Sequence, residues 1–246
     1  MKVSDCFSVK EIQQLCERND KQAWFAFVVN WGIITSCFML VAVRPNPLTI
    51  LISLILLGGR QLGLGVLMHE CGHGTLFKSR TLNQFMGKWL AAAPVFYRID
   101  DYMKNHLEHH RKIGSRGDPD LHRYERYPVS AQYFWRKVIR DLTGKTAWNY
   151  FRKVFNTNEI IYVDENNQKR FSLKRLYNRF YEAIISNLIM LMVFSAFGKP
   201  WLYLLWLISY FSFYMLFSRV RNLAEHAAVP ELFNVDPVKN TRSTRP

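Results

Sequence analysis

Apolar and polar positions are sharply segregated along the chain. The first 22 residues are polar and mixed in charge, with no cleavable signal pattern; Ala23 to Val43 then runs for 21 residues without a charge. As a helix, such a run crosses a hydrocarbon core of about 30 Å. Arg44-Pro45-Asn46-Pro47 ends it, and Leu48 to Met68 follows, interrupted only by Arg60. A second pair lies further on, Ala183 to Phe197 and Trp201 to Phe217, separated by Gly198-Lys199-Pro200. Four long apolar runs in two tight pairs exceed what a soluble helical core of this size needs, so the pattern predicts two transmembrane hairpins in an all-α protein.

The stretch between the pairs has its own pattern. Phe85 to Tyr97 is apolar but too short to span, and it holds Lys88, which fits a re-entrant or interfacial helix. Ala131 to Phe155 interleaves Tyr133, Trp135, Trp148 and Phe151 with Arg136, Lys137, Arg140, Lys145 and Lys153. Such interleaving suits RNA, but between two membrane hairpins it predicts an amphipathic helix lying on anionic headgroups. The expected organisation is an N-terminal segment (1–22), a first hairpin (23–68), a helical cap (69–182), a second hairpin (183–217) and a C-terminal segment (218–246).

Charge orients this arrangement. Lysine and arginine number 33 against 19 acidic residues, a formal net charge of +14. The hairpin turns carry one basic residue each, Arg44 and Lys199, whereas residues 69–182 carry 21. Positive charge stays on the cytosolic side, so the cap and both termini are expected in the cytosol, at a bacterial inner membrane or at the endoplasmic reticulum. The anionic partner implied by the charge is therefore membrane lipid, with no nucleic acid. Composition adds that 49% of residues are hydrophobic, which excludes a disordered chain. The four cysteines form no CxxC pair, which excludes a disulfide or Cys-rich zinc scaffold.

Six of the seven histidines fall in three clusters: His69 and His73 in HECGH, His106, His109 and His110 in HLEHH, and His226 closing NLAEH. On a helix, positions i, i+3 and i+4 share a face, so each cluster aims its imidazoles one way; Asn222 stands at i−4 from His226. All three lie beside the cytosolic ends of the spans, where they can converge. Neutral imidazole suits zinc, copper, iron or nickel, and six of them exceed one tetrahedral site, which points to two ions. His122 stands apart and is read as an ordinary surface residue. HECGH is also a literal HExxH, so an intramembrane zinc protease with Glu70 as general base is a rival, with Asp236 as a further ligand. That reading leaves HLEHH and NLAEH unexplained. A non-catalytic membrane adaptor with structural zinc is a third reading.

At these residues the chain resembles the integral-membrane fatty acid desaturase family and its hydroxylase relatives. HECGH resembles the first HxxxH box, HLEHH the second HxxHH box, and GDPD at 117–120 the turn that many members carry after it. Asn222-x-x-x-His226 resembles the pair that supplies a histidine ligand and a water-bridged asparagine in stearoyl-CoA desaturases. The resemblance covers roughly residues 23 to 240. It implies two iron ions held by His69, His73, His106, His109, His110 and His226, with Asn222 acting through water. It also implies O2 as co-substrate, an acyl-lipid substrate and a separate electron donor of ferredoxin or cytochrome b5 type; a hydroxylase or ketolase on the same scaffold is the alternative. Glu70, Glu108, Asp118 and Asp120 are candidates for orienting the imidazoles, and Asp118 and Asp120 equally for capping a turn. Family members carry a third histidine box after the fourth span, and no histidine follows His226. The chain thus resembles the N-terminal part of a longer protein, and residues 1–246 alone are expected not to desaturate.

Overall fold

The computed structural model describes residues 7–113, 115–156, 160–163 and 168–226. Residues 1–6, most of the expected C-terminal segment (227–246) and Asp236 lie outside the described residues. Among the described residues the fold is all-α apart from one short antiparallel hairpin, β1 (Ile161–Val163) paired with β2 (Lys169–Phe171). A short helix, α1 (Val9–Leu15), precedes the first hairpin, α2 (Asp20–Val43) and α3 (Pro47–His73). The second hairpin is α8 (Leu173–Ala196) followed by α9 (Leu202–Ser209), a π-helical turn at Tyr210–Tyr214 and α10 (Met215–His226). All four limbs are long and apolar enough to cross a membrane.

Local chemistry sets the ends of these helices. The Asn46 side chain accepts from the amides of Leu48 and Thr49, and Pro47 occupies the first turn of α3, where a missing N–H costs nothing. Gly74 ends α3 at φ 69°, a left-handed conformation that L side chains rarely adopt. The helices are longer than the uncharged runs. α3 extends beyond Met68 to include HECGH as its last turns, α8 begins ten residues before Ala183, and the fourth limb ends on His226.

Polar side chains tie the limbs together where no water would do so. Gln61 Nε2 donates to the Trp206 carbonyl at 2.9 Å, Ser53 Oγ to that of Cys37 at 3.2 Å, and Ser209 Oγ to that of Leu54 at 2.8 Å. Such bonds matter because an unpaired buried polar group costs about 1–3 kcal/mol. Gly58 lets α3 meet the fourth limb, since a Cβ there would stand 2.5 Å from Phe213 Cβ and 2.9 Å from its backbone. Lys199 Nζ donates to the Ala42 carbonyl at 3.1 Å, which places both hairpin turns at one end of the bundle. α3 and α9–α10 both run from that end and finish on histidines at the other.

The Phe85–Tyr97 segment is a continuous helical run, α4 (Arg80–Phe85), a π-helical stretch (Met86–Ala92) and a 3₁₀ turn (Ala93–Val95). Met86, Ala91, Ala92, Ala93 and Val95 are buried, so it packs within the protein against α3 and α8. Asn187 and Trp206 donate to the carbonyls of Ala93 and Pro94 at its end. α5 (Ile99–Lys112) follows directly and carries the second histidine cluster. The expected single amphipathic helix over 131–155 is two helices, α6 (Ala131–Leu142) and α7 (Lys145–Phe155), broken at Gly144.

Candidate metal centre

The last turns of α3 present His69 and His73, and α5 lies across them. His106 Nε2 stands 3.1 Å from His73 Nε2 and 2.9 Å from His110 Nε2. One ring nitrogen from each of His69, His73, His106 and His110 falls within 4.8 Å of the others. His69 Nδ1 is bonded to Glu70 Oε1 at 2.8 Å, which leaves Nε2 to face this group. Burial, followed by the repulsion of the neighbouring imidazoles, pushes His106 down to about 3. The same causes lower His110. Both rings are therefore neutral at pH 7 and offer lone pairs, the form in which imidazole binds zinc, copper, iron or nickel. Four convergent imidazoles fit one such ion.

His109 leaves its neighbours on α5 and joins a second group. Its Nδ1 is bonded to Asp118 Oδ1 at 2.8 Å, and its ring meets that of His226 edge-on at 4.9 Å. The rings of His106 and His110 lie further off, at 6.1 and 6.0 Å. Asn222 sits one turn before His226 on α10 and is half-buried. The six clustered histidines thus divide four to two.

The four acidic candidates separate clearly. Asp118 is buried and accepts from His109, from the Asp120 amide at 2.8 Å and from the Tyr124 hydroxyl. Burial alone would raise its carboxyl, but these bonds outweigh burial and hold it below the usual carboxylate range. It closes the turn and orients an imidazole at once. Glu70 bonds His69 and, through its other oxygen, the Thr75 hydroxyl at 2.7 Å. Glu108 and Asp120 bond elsewhere. Glu108 pairs with Lys112 at 2.5 Å and Arg111 at 3.6 Å on the outer face of α5. Asp120 pairs with Arg123 at 3.1 Å. Each faces a nearby cation on its own turn instead of a histidine. His122 bonds the Pro119 carbonyl at 3.1 Å from an exposed position, away from both groups.

Two tyrosines belong to the site although the histidine motifs do not include them. Tyr102 stacks on His106 with centroids 5.1 Å apart and planes at 13°; its signal is an aromatic four residues before the box. Tyr124 holds Asp118 and lies 5.3 Å from the His226 ring. Its position depends on the turn after GDPD, and no spacing rule announces it.

Four apolar limbs with imidazoles gathered at one end of the bundle define a class of helical protein whose histidines could hold transition-metal ions. Residues 45–246 match the fatty acid desaturase family model, and the chain belongs to that family. Among curated relatives, it is 26% identical over 204 residues to dihydrorhizobitoxine desaturase of Bradyrhizobium elkanii, covering 79% of this chain and 55% of the relative. It is 26% identical over 140 residues to an sn-1 oleoyl-lipid 12-desaturase of a Picosynechococcus species, covering 54% of this chain and 38% of the relative. It is 27% identical over 142 residues to an sn-1 acyl-lipid omega-3 desaturase (ferredoxin) of a Synechocystis species, covering 56% and 36%. The chain therefore spans about half, or less, of the length of these relatives. HECGH is then the end of a desaturase-family helix and not a metalloprotease motif.

Proposed function

We propose that the chain forms the membrane-embedded, metal-binding part of an acyl-lipid desaturase that uses two iron ions, O2 and a separate electron donor. The observation that carries this reading is the convergence of four imidazole nitrogens within 4.8 Å, with His109 and His226 paired beside them. His69, His73, His106 and His110 would hold one ion, and His109 and His226, with Asn222 through water, the other. Iron so held supplies the O2 chemistry needed to break an unactivated C–H bond. The residues themselves bind and orient. Glu70 and Asp118 each accept the Nδ1 proton of a histidine, fixing the tautomer that turns Nε2 inward. The packed limbs keep water from the apolar side of the site.

Two of the relatives are named for acyl lipids and one for dihydrorhizobitoxine. The lipid-facing spans favour an acyl lipid here. One relative is named for ferredoxin, which supports a small soluble donor of the ferredoxin or cytochrome b5 type. Such a donor would reach the site from the cytosol, the side on which the excess of basic residues between the hairpins favours both termini.

Elemental analysis of the chain purified from iron-replete cells tests the metal assignment. Two irons are expected, and His106→Ala should remove most of one. Zinc in place of iron would sink the reading. Lipid analysis of cells holding the full-length protein and its donor then separates an alkene product from an alcohol, the latter favouring a hydroxylase.

A further inference from the structure

The α6–α7 turn rests against the fourth limb and leaves an open groove of about 490 Å³, lined by Leu142, Lys145, Trp148, Ile208, Phe211 and Ser212 among others. This lies within the range of about 300–1,000 Å³ typical of ligand sites. Ile208 is half exposed on a limb long and apolar enough to cross a membrane. Trp148 is 64% exposed on its other wall, and Leu142 stands beside it. Phe211 stacks on Phe151 of α7 at 5.6 Å, which joins the two walls. The turn is held in place by Asp141, which accepts from Arg219 on α10 at 2.7 Å and also from Thr146.

Charge is one-sided around this groove. α6 and α7 carry Arg136, Lys137, Arg140, Lys145, Arg152 and Lys153 against one acid, Asp141, whose carboxylate is buried and taken up by Arg219. Lys145 is the cation in the groove lining and is exposed. An apolar groove wall on a limb apolar enough to cross a membrane, with an exposed cation beside it, matches a two-part ligand with an anionic head and an apolar tail.

We propose that this groove binds one anionic phospholipid of the surrounding bilayer. Its phosphate sits on Lys145, and one acyl chain lies against Trp148, Ile208 and Phe211. The site docks the α6–α7 pair onto the fourth limb through a resident lipid. The proposal rests on the membrane placement of the fourth limb and is independent of the desaturase reading.

The test uses the full chain in nanodiscs of equimolar phosphatidylcholine and phosphatidylglycerol, released into native mass spectrometry. Wild type is expected to retain one phosphatidylglycerol in preference to phosphatidylcholine. Lys145→Glu should lower that retention about tenfold, the size of one lost charge-assisted contact, and Lys145→Arg should preserve it. Trp148→Ala should shorten retention without changing headgroup preference. Arg152→Glu, the same charge change on α7 outside the groove lining, should leave retention unchanged. Equal retention of the two lipids, or equal loss in Arg152→Glu and Lys145→Glu, would overturn the proposal in favour of a general surface attraction. Incorporation into nanodiscs and helical circular dichroism of each variant distinguish these results from misfolding.

Discussion

At Glu70 one carboxylate oxygen meets His69 Nδ1 at 2.8 Å and the other meets the Thr75 hydroxyl at 2.7 Å. At Asp118 one oxygen meets His109 Nδ1 and the other Tyr124. Each carboxylate is fixed at both ends, so each fixes a ring. Glu70→Gln and Asp118→Asn are expected to weaken metal retention by about 10–100-fold, as loss of such partners does elsewhere. Glu108→Gln should leave it unchanged; chelator competition against a metal-loaded sample measures all three. In HECGH and HLEHH the two glutamates look equivalent, since each adjoins a histidine. What separates them is the Gly74 turn, which brings Thr75 back to Glu70, and Lys112, which draws Glu108 outward. Neither is visible in box spacing.

The same rings make the metal-stripped protein acid-sensitive. His106 sits at about 3 in the folded chain because of burial and then of neighbouring imidazoles, against about 6.5 for an unfolded histidine. An unfolded chain therefore takes up a proton that the folded one refuses. This term leaves stability intact above about pH 6.5 and removes it progressively as the pH falls toward 3. The thermal midpoint of chelator-treated protein in detergent should fall over that window. His106→Gln should flatten the fall, and an unchanged slope would contradict this assignment.

At the scale of elements, the question is what holds α5 over the end of α3. Its start is tied to α8 by charge. Glu182, 2% exposed, pairs with Lys88 at 2.8 Å and stands 3.7 Å from Arg98 Nε, while Arg179 pairs with Asp101. Removing one partner of a buried pair leaves the other charges uncompensated, at a cost of about 3–5 kcal/mol. Glu182→Ala should therefore lower the thermal midpoint and loosen metal binding, whereas Glu182→Asp should recover part of both. The four limbs were legible because long uncharged runs bounded by Pro and Gly have few alternatives. The π-helical turn at Tyr210–Tyr214 was not, since in a run apolar on every side no face marks a change of period. Nor was the burial of Met86–Val95: length excluded a span, but only the carbonyl bonds from Asn187 and Trp206 show where the segment packs.

Over the whole molecule, function depends on both hairpins ending at the same side. The bond from Lys199 to Ala42 puts the two turns together, and His69, His73 and His226 close helices that start from those turns. Sequence clustering foresaw that the histidines would converge. The four-to-two division could not be foreseen, because it follows from Asp118 drawing His109 away from His106 and His110. The division predicts unequal sites. Calorimetric titration of residues 1–246 with ferrous ion under anaerobic conditions should show one tight and one weak event. Two equal events would contradict the four-to-two division.

Charge predicts the side on which these sites lie. Residues 69–182 carry 21 basic residues, against one in each hairpin turn. Since lysine and arginine resist transfer across the membrane, the histidine end should face the cytosol. Arg126 and Ser130 are exposed between the 3₁₀ turn at Leu121–Arg123 and α6, so an epitope inserted between them should leave the fold intact. In sealed, cytosol-out vesicles that epitope should be cleaved by added protease. One placed at Pro45, in the first hairpin turn, should be protected until detergent is added. The reverse result would put the metal centre on the far side of the membrane, out of reach of a cytosolic electron donor.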